Sequence, residues 1–145
     1  MKTRAIITAL FLTIALSAQA DNDKPIAFDQ LPKRAQQLIQ ESFPNDRVSY
    51  AKMERDLLDV TYEVILVSGT KLEFVRNGDW KEISTRSATI DPKLIPAPII
   101  DYIKQHHPDC KVVKIERDRH DYEVKLTDGV QLKFNRSFRF IGWDD

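Results

Sequence analysis

The chain has 145 residues, 42% of them hydrophobic, and it balances 22 Lys and Arg residues against 22 Asp and Glu residues. Without Lys2 and Arg4, which lie in the export signal described below, 20 basic residues remain against 22 acidic ones, a net charge of −2. This balance argues against a nucleic-acid-binding protein and a polybasic membrane patch. The single cysteine, Cys110, excludes an intramolecular disulfide, so a hydrophobic core must stabilise the fold.

Residues 1–20 predict a signal peptide. Lys2 and Arg4 precede an apolar run from Ala5 to Ala15, and Ala18-Gln19-Ala20 is a small-residue cleavage site. The apolar run is shorter than the roughly 20 residues that a membrane span needs, so we expect no stable membrane insertion. We therefore predict a periplasmic or secreted protein that begins at Asp21, with an uncut N-terminal anchor as the alternative.

The next elements predict one helix followed by four strands. Residues 21–30 are polar and contain a proline, which indicates a flexible N-terminus. A helix is predicted over 31–43, because its apolar residues recur at helical spacing and Pro44 ends it. The pattern then changes to the alternation typical of strands, which we predict over 48–54, 60–67, 71–76 and 80–83.

The same order of elements returns after a polar connector at 84–93. A second helix is predicted over 94–107, followed by strands over 112–116, 122–127, 130–135 and 138–143. The central strands match at a constant offset of 60 residues: Tyr62-Glu63-Val64 returns as Tyr122-Glu123-Val124. We therefore interpret 31–83 and 94–145 as two copies of one unit.

These elements predict an α+β fold of two tandem repeats, each a helix followed by a four-stranded antiparallel sheet. The strands alternate apolar and charged residues, so both helices should pack on the apolar face of the sheet. A unit of about 50 residues buries too little surface to be stable alone. We expect the two units to share a core, either as one curved sheet or as two half-sheets side by side.

Both copies carry the motif Tyr-Glu-Val-x-Leu-x-[Ser/Asp]-Gly-x-x-Leu-x-Phe, at Tyr62–Phe74 and Tyr122–Phe134. Preceded by a helix that ends in [Phe/His]-Pro, this pattern resembles the PepSY-like, β-lactamase-inhibitor-protein-like domain family of exported bacterial proteins, common in the Bacteroidetes group. The resemblance covers nearly all of 31–143 and implies a small periplasmic or secreted module that could inhibit or sense another molecule. It supplies no catalytic motif. The second copy departs from the pattern at Pro98 and His107.

Three apolar residues lie where the outer face of the first predicted sheet should be polar. Ile65, Val67 and Val75 stand where the second copy has Lys125, Thr127 and Asn135. Such a patch can mark a contact surface. Its alternatives are packing against the segment around Ile26 and Phe28, or a dimer.

Two tryptophans near the ends of the two copies are candidate anchors for a partner, with closure of the end of the core as the alternative. We expect a protein or peptide partner in the cell envelope and no nucleic acid, and the oligomeric state stays open. The predicted partner-binding residues are Ile65, Val67, Val75, Trp80 and Trp143.

No catalytic residue, metal ligand or cofactor is predicted. The acid pairs lie in turns or at the C-terminus, where carboxylates are solvated rather than held in a pocket: Asp56/Asp59, Asp118/Asp121 and Asp144/Asp145. The alternative function is a small-ligand or metal-binding envelope protein with His106, His107 and His120 as ligands. Adjacent helical residues such as His106 and His107 chelate one ion poorly, because they point about 100° apart. Cys110 is expected to be a small residue at a loop-to-strand junction, with an intermolecular disulfide as the alternative.

Overall fold

The computed structural model describes residues 22–144, with the side chains of 22–143, so the predicted signal peptide lies outside it. The fold is α+β, with two α-helices and a nine-stranded antiparallel sheet in the described residues. The helices are α1 (Lys33–Ser42) and α2 (Ala97–His106). The strands are β1 (Asp23–Pro25), β2 (Val48–Asp56), β3 (Asp59–Leu66), β4 (Lys71–Val75), β5 (Trp80–Ser84), β6 (Val112–Arg117), β7 (Asp121–Leu126), β8 (Gln131–Asn135) and β9 (Phe140–Asp144).

All nine strands belong to one sheet, in which each strand pairs with the next along the chain. The prediction of four-stranded sheets is corrected because the sheet is larger: β5 and β6 join edge to edge, with Ile83 opposite Ile115 and Glu82 opposite Glu116. The physical reason is that an unpaired strand edge exposes a row of N–H and C=O groups, which the next strand satisfies. Of the two arrangements left open by the sequence, the structure has the continuous sheet.

The segment 21–30, predicted to be flexible, contains ordered structure where it is described. β1 pairs with β2 through Asp23 and Glu54, and the Ile26 N–H donates to the Ala51 carbonyl at 2.9 Å. A 3-10 turn follows at 28–30. Ile26 and Phe28 pack against the buried core. Burial of these two apolar side chains stabilises a segment that composition alone predicts to be flexible.

Both helices pack on one face of the sheet and share a single core. Ala35 and Ile39 are the buried residues of α1, and Ile99 and Ile103 are those of α2. Beneath them, directly opposed residues of successive strands form a buried row: Ala51, Val64, Leu72, Ile83, Ile115, Val124 and Leu132. Because this row crosses the β5–β6 junction, neither half has a core of its own.

The last strand begins at Phe140, two residues later than predicted. Residues 136–139 form the preceding turn, in which Phe138 has φ 62, a left-handed conformation that costs about 1–2 kcal/mol for a residue other than glycine. Asn135 Oδ1 accepts the N–H groups of Ser137 and Arg139 at 2.9 and 3.0 Å and stabilises the turn. A turn thus forms at this position although Asn77-Gly78 has no counterpart in the second half.

Candidate functional site

The outer face of the sheet, opposite the helices, carries a row of glutamates on five successive strands. Cross-strand pairs place Glu63, Glu73, Glu82, Glu116 and Glu123 side by side, and Lys52 and Lys133 continue the row at its two ends. We call the five acidic residues the glutamate row. Like charges in directly opposed positions repel each other, so the fold must compensate for the row.

Lysines on the same face provide that compensation. Lys71 Nζ lies 2.6 Å from Glu73 and 3.4 Å from Glu63. Glu82 lies between Lys71 at 3.9 Å and Lys114 at 3.6 Å, so it links the lysines of the two halves of the sheet across the β5–β6 junction. Lys133 Nζ contacts Glu123 at 3.3 Å. Each glutamate of the row therefore has a lysine within 4 Å, so the row is a salt-bridged network rather than an open cation site.

Beside the glutamate row lies a small apolar cluster, which we define as Tyr50, Ile65 and Val67. Tyr50 is directly opposite Ile65, and Val67 follows two residues later on the same side. Tyr50 is 42% exposed and Val67 is 63% exposed. At the matching positions the second half of the sheet has Lys114, Lys125 and Thr127, so the fold itself does not require apolar residues there.

The five predicted partner-binding residues fall in three separate places. Ile65 and Val67 belong to the apolar cluster, whereas Val75 lies opposite Thr61, on the other side of the glutamate row. Trp80 is on the helix face opposite Phe74 and is only 9% exposed. Its ring therefore offers a partner little surface.

Trp143 also lies on the helix face rather than beside Ile65. It is opposite Leu132 in the outermost strand, β9, and its ring packs edge-on against His107 at 5.7 Å and Phe140 at 5.1 Å. Ile83, at the matching place in β5, is fully buried because β6 follows it. Trp143 remains 59% exposed because it stands at the sheet edge.

Six basic residues from distant parts of the chain surround a cleft of about 930 Å³ at the end of the sheet where β2 turns into β3, β4 into β5 and β6 into β7. Three aspartates, Asp59, Asp79 and Asp118, lie in the same lining, so its formal charge is +3. Val75 and Trp80 are part of its wall. The basic residues of this arginine cleft are Arg34, Arg76, Lys81, Arg117, Arg119 and Arg136.

Comparison of the two copies did not identify these arginines as site residues, although the sequence contains one signal for them. Arg76 donates to the Leu58 carbonyl at 3.3 Å, and Arg136 donates to the Asp118 carbonyl at 3.1 Å. Both arginines and both acceptors are separated by the same 60 residues that separate the two copies. The 60-residue spacing thus places an arginine at this end of the sheet twice.

The three histidines do not converge on a metal site. His106 and His107 lie at the end of α2, and His120 lies beyond the opposite end of the six-residue strand β6. No group of three His, Cys, Asp or Glu residues that could hold a metal ion occurs within 22–144. His107 instead packs against Trp143, and His106 stacks on Tyr102 with ring centroids 4.1 Å apart.

The acid pairs serve the turns in which they lie. Asp56 Oδ1 accepts the Leu57 N–H at 2.8 Å. Asp118 Oδ1 accepts the N–H groups of His120 and Asp121 at 2.6 and 3.0 Å, and these bonds hold the pKa of Asp118 below its ordinary value. A general acid at neutral pH needs the opposite shift. The pair Asp144/Asp145 lies outside the described side chains.

Cys110 is a half-buried free thiol. Burial and the neighbouring Asp128 carboxylate raise its pKa. The thiol is therefore protonated at neutral pH, whereas a nucleophilic cysteine needs the thiolate. This environment fits a packed residue at the entry to β6 rather than a reactive one.

Comparison with known proteins identifies the family. A family model described as "Putative beta-lactamase-inhibitor-like, PepSY-like" matches residues 60–142. The chain belongs to this PepSY-like family. Among curated proteins, none matches the chain.

Solved structures of Bacteroides proteins share the fold of this PepSY-like chain over 85–87% of its length. One from Bacteroides vulgatus, described as "a putative periplasmic protein from DUF2874 family", has 44% sequence identity and a TM-score of 0.84, and covers 87% of this chain and 99% of its own. One from Bacteroides thetaiotaomicron, described as "a putative calcium-regulated periplasmic protein", has 45% identity and a TM-score of 0.83 over the same shares. A second Bacteroides vulgatus protein, "of unknown function", has 34% identity and a TM-score of 0.81, covering 85% of this chain and 99% of its own.

These relatives agree with the predicted location. All three are described as periplasmic, and neither described helix of this PepSY-like chain is long and apolar enough to span a membrane. The predicted location, periplasmic or secreted, is thereby confirmed.

Proposed function

We propose that this PepSY-like protein is a non-catalytic periplasmic binding module, an inhibitor or a sensor, that contacts a protein or peptide partner through the outer face of its sheet. The apolar cluster carries the proposal. Tyr50 and Val67 are large apolar side chains left in water, on a face that otherwise consists mainly of charged residues. Covering such a side chain stabilises a complex by up to about 1.5–3 kcal/mol.

Two further observations support this face over the alternatives. Ile26 and Phe28, which could have covered the cluster from within the chain, pack against the core instead. The second half keeps the same fold with Lys114, Lys125 and Thr127 in the matching positions. Apolar residues that the fold does not need are best explained by contact with another molecule.

The neighbouring charges are better suited to orienting a partner than to supplying most of its binding free energy. The glutamate row and its lysines cross the whole face beside the cluster, so a partner must match their pattern or leave charges unpaired. The apolar cluster would supply the buried contact. The charged network would fix the position of the partner on the sheet.

The direct test is capture from a periplasmic extract with the wild type and with Ile65→Lys/Val67→Glu. Leu57→Lys/Leu58→Glu is the matched control, because Leu57 and Leu58 are 100% and 87% exposed at the β2–β3 turn, away from the cluster. We expect one protein to be captured by the wild type and the control but not by the cluster variant. Equal capture by all three, or by none, would show that this face is not the binding surface.

Sedimentation of the purified protein separates a partner from a second copy of the chain. A concentration-dependent dimer that dissociates in Ile65→Lys/Val67→Glu would assign the cluster to self-association and overturn the proposed partner. A monomer in both proteins leaves the cluster free for a different molecule.

A further inference from the structure

The cations of the arginine cleft differ from those of the outer face in what holds them. Among residues 22–144, Arg34 is the only cleft cation that forms a salt bridge, at 2.8 Å to Asp79. Arg76 and Arg136 are held by backbone carbonyls. Their positive charges are therefore fixed in place without being neutralised.

Arg117 is the most confined of the cleft cations. Its Nε donates to the Trp80 carbonyl at 2.7 Å, and its guanidinium lies 3.8 Å from the centre of the Trp80 ring. Burial lowers the pKa of Arg117, which reflects the cost of keeping a charged group partly away from water. The Trp80 ring offsets part of that cost through a cation–π contact.

A second arginine–aromatic pair stands next to the first. The Arg136 guanidinium lies 4.8 Å from the centre of the Tyr122 ring, and Tyr122 directly faces Arg117 across β6 and β7. Neutral rings and carbonyls thus position both guanidinium groups. Such a setting leaves the cations ready for an anion, because no intrachain carboxylate has to be displaced from them.

We propose that the arginine cleft binds a phosphate-bearing ligand carrying two or more negative charges, such as a pyrophosphate group. Its formal charge of +3 matches a compact polyanion of that kind. Guanidinium groups fix phosphate oxygens through paired N–H donors. This site is separate from the apolar cluster, so it goes beyond the proposed partner contact on the outer face.

The test is calorimetric titration of the purified protein with inorganic pyrophosphate at low ionic strength. The cleft variant is Lys81→Gln/Arg119→Gln, since neither side chain makes a salt bridge in the described residues and folding should be kept. The matched control, Lys125→Gln/Arg139→Gln, removes the same charge from outside the cleft. We expect saturable binding that falls about tenfold in the cleft variant and stays within about twofold in the control.

Two outcomes would overturn the site. Equal weakening in both variants would mean that net charge, and not the cleft, attracts the anion. No saturable binding by the wild type to pyrophosphate or to the vesicles described next would mean that the cations serve no phosphate ligand.

Two further probes decide the source and class of the ligand. Vesicles containing phosphatidylglycerol, compared with phosphatidylcholine alone, test a lipid-borne phosphate; binding that the cleft variant loses supports the site. In that case Leu57→Ser/Leu58→Ser should weaken vesicle binding but not pyrophosphate binding, because the two exposed leucines lie at the same end of the sheet. A hexaglutamate peptide that binds as tightly as pyrophosphate would overturn the assignment to phosphate.

Discussion

The outer face of the sheet and the arginine cleft both concentrate charged side chains, but the two places differ in the groups that hold those side chains. On the outer face, Lys71 and Lys114 are held by glutamates of their own and of neighbouring strands. In the cleft, Arg117 and Arg136 are held by carbonyl groups and aromatic rings. The first arrangement uses charge to stabilise the sheet. The second leaves charge available for another molecule.

Their places in the fold explain the difference. Strand register puts residues of the outer face in fixed opposition, so each glutamate meets a lysine within one or two positions. The cleft is built largely from residues in and beside turns, which have no such register and face solvent. Charges that a sheet neutralises are structural, and charges that turns leave open are candidates for binding.

The largest expected effect comes from breaking the contact that places the β4–β5 turn in the cleft. Gly78 has φ +88, and a Cβ there would lie 2.9 Å from Pro32 Cβ and 3.1 Å from the Ala35 nitrogen. Gly78→Ala should lower the free energy of unfolding by about 3 kcal/mol, from left-handed strain and from displacement of α1. Urea denaturation measures the loss.

Gly69→Ala is the control for that experiment. Gly69 has φ +90, and a Cβ added there would meet nothing within 4 Å, so only the backbone strain applies, at about 1 kcal/mol. If the two variants lose the same stability, the close approach of the β4–β5 turn to α1 contributes nothing.

The next effect concerns the outer face. Lys71 contacts Glu63, Glu73 and Glu82. Lys71→Met would leave Glu73 without a lysine, whereas Glu63 and Glu82 would keep Lys52 and Lys114, and should cost about 1–2 kcal/mol at pH 7. The loss should shrink at high salt, which screens the attraction between the lysine and the glutamates.

Lys125→Met supplies the comparison for Lys71→Met. Lys125 lies on the same face but is exposed and makes no salt bridge among the described residues. The free energy of unfolding should therefore change by less than about 0.5 kcal/mol in Lys125→Met. A loss in Lys71→Met that does not depend on salt concentration would indicate that Lys71 acts through packing of its side chain and not through its charge.

The sequence predicted the elements well, because their patterns are local. Strand alternation and the 60-residue repeat placed two helices and eight of the strands within a few residues of their observed ends. The continuity of the sheet could not be predicted in this way. It depends on pairing between Ile83 and Ile115, which are separated by the whole of α2, and neither half carries a local signal for it.

The candidate site was only partly predictable for related reasons. Comparison of the two copies found Ile65 and Val67, but it missed Tyr50, because a bulge between Val48 and Tyr50 turns that side chain to the outer face. Trp80 packs against Arg117, 37 residues away, which no local pattern predicts. The arginine cleft draws on turns spread over more than 100 residues, and a net charge near zero conceals it.

The smallest expected effect is a change of charge inside the cleft that leaves its arginines intact. Asp118→Asn raises the formal charge of the lining from +3 to +4, and an Asn oxygen can still accept the backbone N–H groups that Asp118 accepts. Pyrophosphate affinity should increase about twofold, as expected for one exposed charge. Asp128→Asn, in the β7–β8 turn at the other end of the sheet, should leave it unchanged.

The same variant has a predictable effect on stability against acid. Because hydrogen bonds from His120 and Asp121 hold the pKa of Asp118 below its ordinary value of 3.8, its ionised form stabilises the fold above that pH, and the contribution is lost as pH falls through the lowered folded-state pKa. Asp118→Asn should therefore flatten the decline of melting temperature below about pH 4. An unchanged decline would show that the carboxylate adds nothing to the turn, and the gain in pyrophosphate affinity would then report the charge of the cleft alone.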